Sequence, residues 1–263
     1  MGREHAPWRL GKRLGIPQEL DEPAYAKACY QEYLKRYLRC VKGVDDNIRR
    51  LLDFLKESGE LENTLIIYTS DQGLLLGEHD LMDKRWFFEE SMRMPFIVHW
   101  PAVVRGGSVN RWLINNTDFA PTLLEIAGAK VPDLMQGRSF AAARRGDAPP
   151  ADWREVTYYR YWMHMAHKLA VPAHFAIRGD RHKLVFYYGI DVLHPAIPAT
   201  PAAWEFYDLE TDPGEMTNQY GNPEYAEVIA AMKRQLRETR AELGETDVKY
   251  PEVRKIIDAH WDD

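Results

Sequence analysis

The run Thr64-Leu-Ile-Ile-Tyr-Thr-Ser-Asp71-Gln72-Gly73 stops a β-branched apolar strand at a carboxylate, an amide and a glycine. Open α/β sheets bind their ligands just beyond the C-terminal ends of such strands. Asp71 and Gln72 therefore offer oxygen donors at the mouth of a site, and Lys84, further along the chain, brings a positive charge towards it. Oxygen donors suit a hard cation, and a lysine beside them suits an anionic ester. Taken alone, Ser70-Asp71-Gln72-Gly73 is also an ordinary strand-to-turn sequence, because Asp and Gly favour turns for backbone reasons.

Upstream, Leu34, Leu38, Val41, Val44, Ile48, Leu51, Leu52 and Leu55 recur at intervals of three and four, which predicts one long helix over residues 25–56. Gly59 supplies its stop, Gly43 with Asp45 and Asp46 marks a kink or a second start, and Tyr30, Tyr33 and Tyr37 read as packing residues. Residues 1–20 lack periodicity and read as loop, or as a segment parted from what it packs against, disordered or loosely packed. Strands at 65–69, 96–100 and 111–115, a short helix at 86–92 and a helix at 118–127 capped by Asp118 give a βα alternation, which implies a mainly parallel sheet. Residues 130–152 shift to linker composition. Beyond them the pattern predicts strands at 155–162, 174–178, 183–188 and 204–209. One helix follows, capped by Asn222, opened by Pro223 and striped by Val228, Met232, Leu236 and Leu243. That is an antiparallel sheet with a helix packed on it.

With 45% hydrophobic residues in 263, the chain has enough apolar content for a core, and its net charge of −6 argues against a general nucleic-acid binder. No apolar run approaches the roughly eighteen residues that span a bilayer. Residues 1–7 do not read as a signal peptide, and compartment stays open. Cys29 and Cys40 on one helix stand roughly 16 Å apart along its axis, too far to pair, and both read as buried structural cysteines. His164, His167 and His174 have no cysteine near and lack zinc-site spacing. Hydrogen bonding in a substrate pocket suits the cluster better, with His174 the candidate, whereas His164 and His167 each read as a packed or exposed histidine. Glu78 and His79 shape the loop after the first strand.

Ser70-Asp-Gln-Gly73, Leu76-Gly-Glu-His79, Asp83-Lys-Arg85 and the stretch from Glu89 to Val98 come first in a specific motif order. Asn116-Thr-Asp-Phe-Ala-Pro-Thr122, Gln136-Gly-Arg-Ser139, Trp204-Glu-Phe-Tyr-Asp-Leu209 and Asp212-Pro213 complete it. The series resembles the C-terminal motif block of the type I sulfatases, in the alkaline-phosphatase-like superfamily, over residues 30–243. The resemblance implies an α/β fold. Residues 1–135 would form a partial mixed sheet with helices, and residues 136–263 a small α+β subdomain of antiparallel sheet plus helix.

The resemblance also assigns roles. Asp71 and Gln72 match the two late metal ligands, with calcium the expected ion and magnesium second. Lys84 matches the catalytic lysine that binds sulfate oxygens. Asp83, Arg85 and His174 match substrate-binding positions, closest to the N-acetylglucosamine-6-sulfatase and mucin-desulfating branch. The family's Cys-x-Pro-Ser-Arg or Ser-x-Pro-Ser-Arg signature, whose first residue becomes the formylglycine nucleophile, does not occur in the sequence. What is implied is a sulfuric ester hydrolase for sulfated carbohydrates whose nucleophile lies outside these residues, so that the chain by itself is inactive and self-associates or joins a companion N-terminal chain. A phosphate or phosphonate ester hydrolase of the same superfamily, or a non-catalytic glycan- or partner-binding fragment, are the alternatives.

Overall fold

The computed structural model describes residues 10–263, so the loop expectation for residues 1–9 lies outside the described residues. The chain packs as two units. One reaches to Lys84 and includes Glu90–Gly106; the other comprises Arg85–Glu89 and Gly107–Asp263.

In the first unit, α1 (Leu10–Leu14) replaces part of the expected loop. It lies against α2 (Glu22–Glu57) at Gly11, where a Cβ would fall 2.0 Å from the Tyr25 hydroxyl oxygen. The Asp21 carboxylate starts α2 by accepting the Ala24 N–H at 2.9 Å, with Pro23 in the first turn, and Gly59 at φ 75° follows its end. The helix runs unbroken for 36 residues. Gly43 produces no break, and Asp45 and Asp46 instead pair with Arg49 and Lys42 one turn away. Among its residues only Tyr25 and Cys29 are buried. Cys40 is exposed, contrary to expectation. Of the apolar stripe, Leu38, Val41, Val44 and Leu51 are exposed and Leu34, Ile48, Leu52 and Leu55 half-buried, and Phe54 beside it is exposed at 61%.

The strand that carries Asp71 at its end is β1 (Ile66–Thr69). A hairpin of β2 (Leu75–Leu76) and β3 (Met82–Asp83) follows, then the short helix α3 (Glu89–Met92) and β4 (Phe96–His99). The expected parallel arrangement is not found: β4 pairs antiparallel with β1, Ile66 opposite His99 and Thr69 opposite Phe96. Every strand pairing among the described residues is antiparallel. A parallel sheet needs strands joined by crossovers, and β1 has no second neighbour among these residues.

In the second unit, residues 111–115 form no strand because no neighbour completes a ladder, and they lead into α4 (Phe119–Ile126). The Asp118 side chain does not cap α4. It is fully buried and accepts bonds from the Asn115 and Arg138 amides at 2.7 and 2.8 Å and from both arms of the Arg154 guanidinium. A four-stranded meander then runs in order as β5 (Thr157–Tyr161), β6 (His174–Arg178), β7 (His182–Tyr187) and β8 (Ala203–Asp208). Strand alternation gives it two faces. Phe175, Ile177, Leu184, Phe186, Trp204 and Phe206 pack against α5 (Ala226–Glu242) and α6 (Pro251–His260), where Leu236, Val253 and Trp261 close the core. The sequence reading had one helix there and missed α6. The Asn222 side chain does cap the preceding turn, accepting the Glu224 N–H at 3.0 Å.

The opposite face carries Lys183, fully buried at the centre of a polar clasp. Its ammonium reaches Phe87 O at 2.7 Å, Glu215 Oε1 at 2.8 Å and Glu89 Oε1 at 2.9 Å, which uses all its donors. Arg178 holds the far side of Glu89 at 3.1 Å, and Glu215 Oε2 accepts the Glu89 N–H at 2.7 Å. Removing one partner of such a group strands the others in a dry environment, so Lys183→Ala is expected to lose about 3–5 kcal/mol in urea unfolding. A Lys183 Glu89 Glu215 triple change to Met, Gln and Gln, which leaves no buried charge among the three, is expected to lose less; a larger loss would contradict this account.

Candidate active site

In the first unit the site is built by a turn and a hairpin. Beyond β1 the chain turns at Ser70–Gly73, where the Ser70 hydroxyl donates to Gln72 O at 3.0 Å and the Gly73 N–H donates to Ser91 O at 2.8 Å. Glycine is required at 73, since a Cβ would lie 2.0 Å from Glu90 O. The β2–β3 hairpin, with Leu75 opposite Asp83, returns the chain so that the Lys84 ammonium donates to Asp71 Oδ2. That bond is the first cause of a lowered Asp71 pKa; the Gln72 amide adds to it and burial opposes it. Asp71 is largely exposed and Gln72 half-buried.

The loop between the two strands is held locally. Glu78 Oε2 accepts the Leu76 N–H at 2.6 Å, and His79 Nε2 lies 3.9 Å from Glu90 Oε2. His79 and Asp80 both sit at φ 55°. Asp83 and Arg85, on either side of Lys84, are also left-handed, at φ 83° and 97°. Such backbone costs on the order of 1–3 kcal/mol per residue and gathers at functional positions.

In the second unit, Trp86, Phe87 and Phe88 lie on the clasp face of the sheet, with ring centroids 5.9, 5.6 and 6.1 Å from Tyr187, Tyr159 and Tyr207 respectively. His174 sits in a box of Tyr159, Tyr161 and Tyr187 at 5.7, 5.6 and 5.2 Å. The Tyr159 hydroxyl donates to Arg85 O at 3.4 Å, so one ring touches two of the residues named from sequence. Tyr159 itself was missed. Alternation along Thr157–Tyr161 places it on the same face as Tyr161, but its register against His174 is set by strand pairing and cannot be read from one strand.

Burial pushes the His174 pKa down to about 4, against the opposing effect of its bond to Pro172 O. That bond, 2.8 Å long, takes Nδ1, so Nδ1 carries the hydrogen and Nε2 is an acceptor. Nε2 has no hydrogen-bond partner among the described residues. His164 is different: its Nδ1 accepts the Ala173 N–H at 3.1 Å and its Nε2 lies 3.0 Å from Pro198 O, a packed structural histidine. His167 is exposed.

For a metal, Asp71 and Gln72 supply the hard oxygen donors that calcium prefers, but only two side chains against the roughly six to eight oxygens of a full shell. No group of three or more His, Cys, Asp or Glu residues suited to a metal ion is found among the described residues. The donors fit part of a calcium shell.

Linkage gives a test of His174. Unfolded, it takes a proton near its ordinary pKa of 6.5; folded, only near about 4. Between these values the unfolded chain binds more protons, so stability falls as pH drops through this window, by about 3 kcal/mol in all. Wild type minus His174→Gln, in urea unfolding from pH 7.5 to 3.5, is expected to show this slope, and parallel profiles would refute it.

A family model for the C-terminal region of N-sulphoglucosamine sulphohydrolase matches residues 77–242, and the general sulfatase model matches residues 5–129. An N-acetylglucosamine-6-O-sulfatase from Bacteroides thetaiotaomicron is 42% identical over 220 residues, covering 83% of this chain and 37% of the relative. A solved structure described as in complex with its substrate D-glucosamine-2-N,6-O-disulfate superposes with a TM-score of 0.80 at 39% identity, over 92% of this chain and 47% of that one. A phosphonate monoester hydrolase from Silicibacter pomeroyi has a TM-score of 0.70 at 25% identity, over 85% and 43%. The chain thus spans less than half the length of these relatives.

Proposed function

Because the chain belongs to the type I sulfatase family, as the C-terminal portion of the alkaline-phosphatase-like fold, we propose that it supplies the late half of a sulfuric ester hydrolase site acting on sulfated sugars. The observation that carries this is the meeting of Lys84 with Asp71 at the C-terminal end of β1. In this reading residues 1–135 belong to the catalytic α/β core and residues 136–263 to the C-terminal subdomain.

Each residue then has a task. Lys84 holds the sulfate oxygens and offsets charge as the ester bond breaks, a fixed cation aimed at developing negative charge. Asp71 and Gln72 would hold part of a calcium shell, and that ion would supply Lewis-acid charge; in its absence Asp71 is paired with Lys84. Asp83 would accept from sugar hydroxyls and Arg85 would donate to them, while His174, wholly buried among Tyr159, Tyr161 and Tyr187, stands behind those rings rather than against substrate; the relatives' names favour a 6-O-sulfated amino sugar. The formylglycine nucleophile comes from the region that precedes these residues in the relatives.

Without a nucleophile no covalent intermediate can form, so the purified chain is expected not to hydrolyse aryl or sugar sulfates, with or without added calcium. Complementation with the nucleophile-bearing region of a relative is expected to give turnover on 6-O-sulfated glucosamine, reduced about 10²–10³-fold in kcat by Lys84→Ala. Turnover by the chain alone, above its Lys84→Ala level, would overturn the assignment. Faster turnover of a phosphonate monoester than of the sulfate ester by the complemented enzyme would favour the phosphonate reading.

The solvent-open stripe on α2, with Tyr68 and Ile97 exposed on the β1–β4 pair, is the surface through which a companion chain or a second copy would dock. Light scattering on dilute protein is expected to show association that Leu51→Lys with Phe54→Lys abolishes. A monodisperse wild-type monomer would contradict it.

A further inference from the structure

A groove of about 480 Å³ runs between the C-terminal half of α5 and α6 in the second unit, away from every residue assigned above. Its volume is that of an ordinary small-ligand site, for which about 300–1,000 Å³ is usual. We propose that it is a second, non-catalytic site that binds an anionic saccharide. This rests on the sulfated-sugar reading and deepens it.

Arg160 and Arg240, behind and within the groove, are taken up by Glu245 and Asp247: Arg160 meets them at 2.6 and 2.7 Å, and Arg240 also donates to Asp247. Those charges cancel, and they fix the 245–247 loop that closes one end. Asp247 accepts a left-handed φ of 55° within that arrangement. The groove is therefore formed before any ligand arrives, which removes an ordering cost from binding.

What remains is positive. The Arg237 guanidinium lies 4.4 Å from the Trp261 ring centroid and has no ion pair among the described residues. Stacking orients its planar fork while leaving its donors open. Across the groove, Arg254 of α6 has Asp258 at 3.7 Å, longer than a hydrogen bond, so its donors are open as well. Two guanidinium forks facing one cleft suit the paired oxygens of a sulfate or carboxylate.

The walls select the rest of the ligand. Ala241 and the exposed Val248 give apolar surface above the nearly buried Ile257 and Trp261, while Glu245 and Asp258 stand beside the arginines as acceptors. A saccharide presents an apolar ring face, hydroxyl donors for those carboxylates and an anionic substituent for the arginines. An acidic peptide, whose side-chain carboxylates only accept, has no hydroxyl donors to offer those acceptors.

The test is calorimetric titration of the full chain with a sulfated heparin-derived tetrasaccharide, its desulfated counterpart, sodium sulfate and a poly-glutamate peptide. A parallel series in a Lys84→Ala background silences the site at β1, so failure at the groove is read independently of the sulfatase assignment. The expected result is tetrasaccharide binding that persists in Lys84→Ala, shifts the Trp261 indole N–H resonance, and weakens about tenfold with each of Arg237→Ala and Arg254→Ala. Both arginines are exposed, so these changes leave folding intact, and Arg237→Lys should recover only part of the loss because it restores charge without the fork. The proposal is overturned if the arginine variants bind as tightly as wild type, if binding vanishes in Lys84→Ala, or if sodium sulfate, the desulfated sugar or the peptide binds as well as the tetrasaccharide.

Discussion

Lys183 is the interaction on which the second unit's working face depends. An ammonium wholly removed from water would be intolerable without full compensation, and here every donor is used, on one carbonyl and two carboxylates. The partners come from distant parts of the sequence, Phe87 and Glu89 on one side and Glu215 on the other. One side chain therefore pins residues 85–89 to the sheet. The pinned segment begins with Arg85, whose carbonyl receives the Tyr159 hydroxyl. Burial raises the pKa of Glu215 despite Lys183, whereas for Glu89 burial is outweighed by Lys183 and Arg178 together and its pKa falls. The two carboxylates of one clasp are thus unequal, and Glu89, with two cations, is the firmly ionised member.

Legibility in the sequence followed the range of the interactions. The strand ending at Asp71, the length of α2 and the Asn222 cap are written in consecutive residues, through periodicity and capping, and were readable. The antiparallel pairing of β1 with β4 was not, because alternation of strands and helices implies a parallel sheet only when neighbouring strands are present to complete it. Asp118 stands at a helix start and reads as a cap; only its bond from the Asn115 N–H is local, and its other partners, Arg138 and Arg154, lie far along the chain. α6 went unread because a single amphipathic stripe was assumed to complete the core. Cys40 was misplaced because a long helix has more than one side, and the pattern does not say which of them is covered.

The candidate site divides in the same way. Motif order pointed to Asp71, Gln72, Asp83, Lys84, Arg85 and His174, and the hairpin accounts for how Lys84 and Asp71 meet. The protonation state of His174 was out of reach, as it depends on a carbonyl two residues away and on complete burial by tyrosines from other strands. Tyr159 was invisible for the same reason. Its partners include a backbone oxygen, an imidazole and the Phe87 ring, and none of them leaves a mark on the residues around it in the sequence.

The left-handed backbone at Asp83 and Arg85 has an evolutionary consequence. Glycine would adopt these angles at no steric cost, so at both positions the residue easiest to fold is one without a charge. A lineage under selection for thermal robustness alone would drift towards glycine on either side of Lys84. In the proposed reading the acid and the base held at these angles meet the sugar, so that durability and recognition pull in opposite directions there.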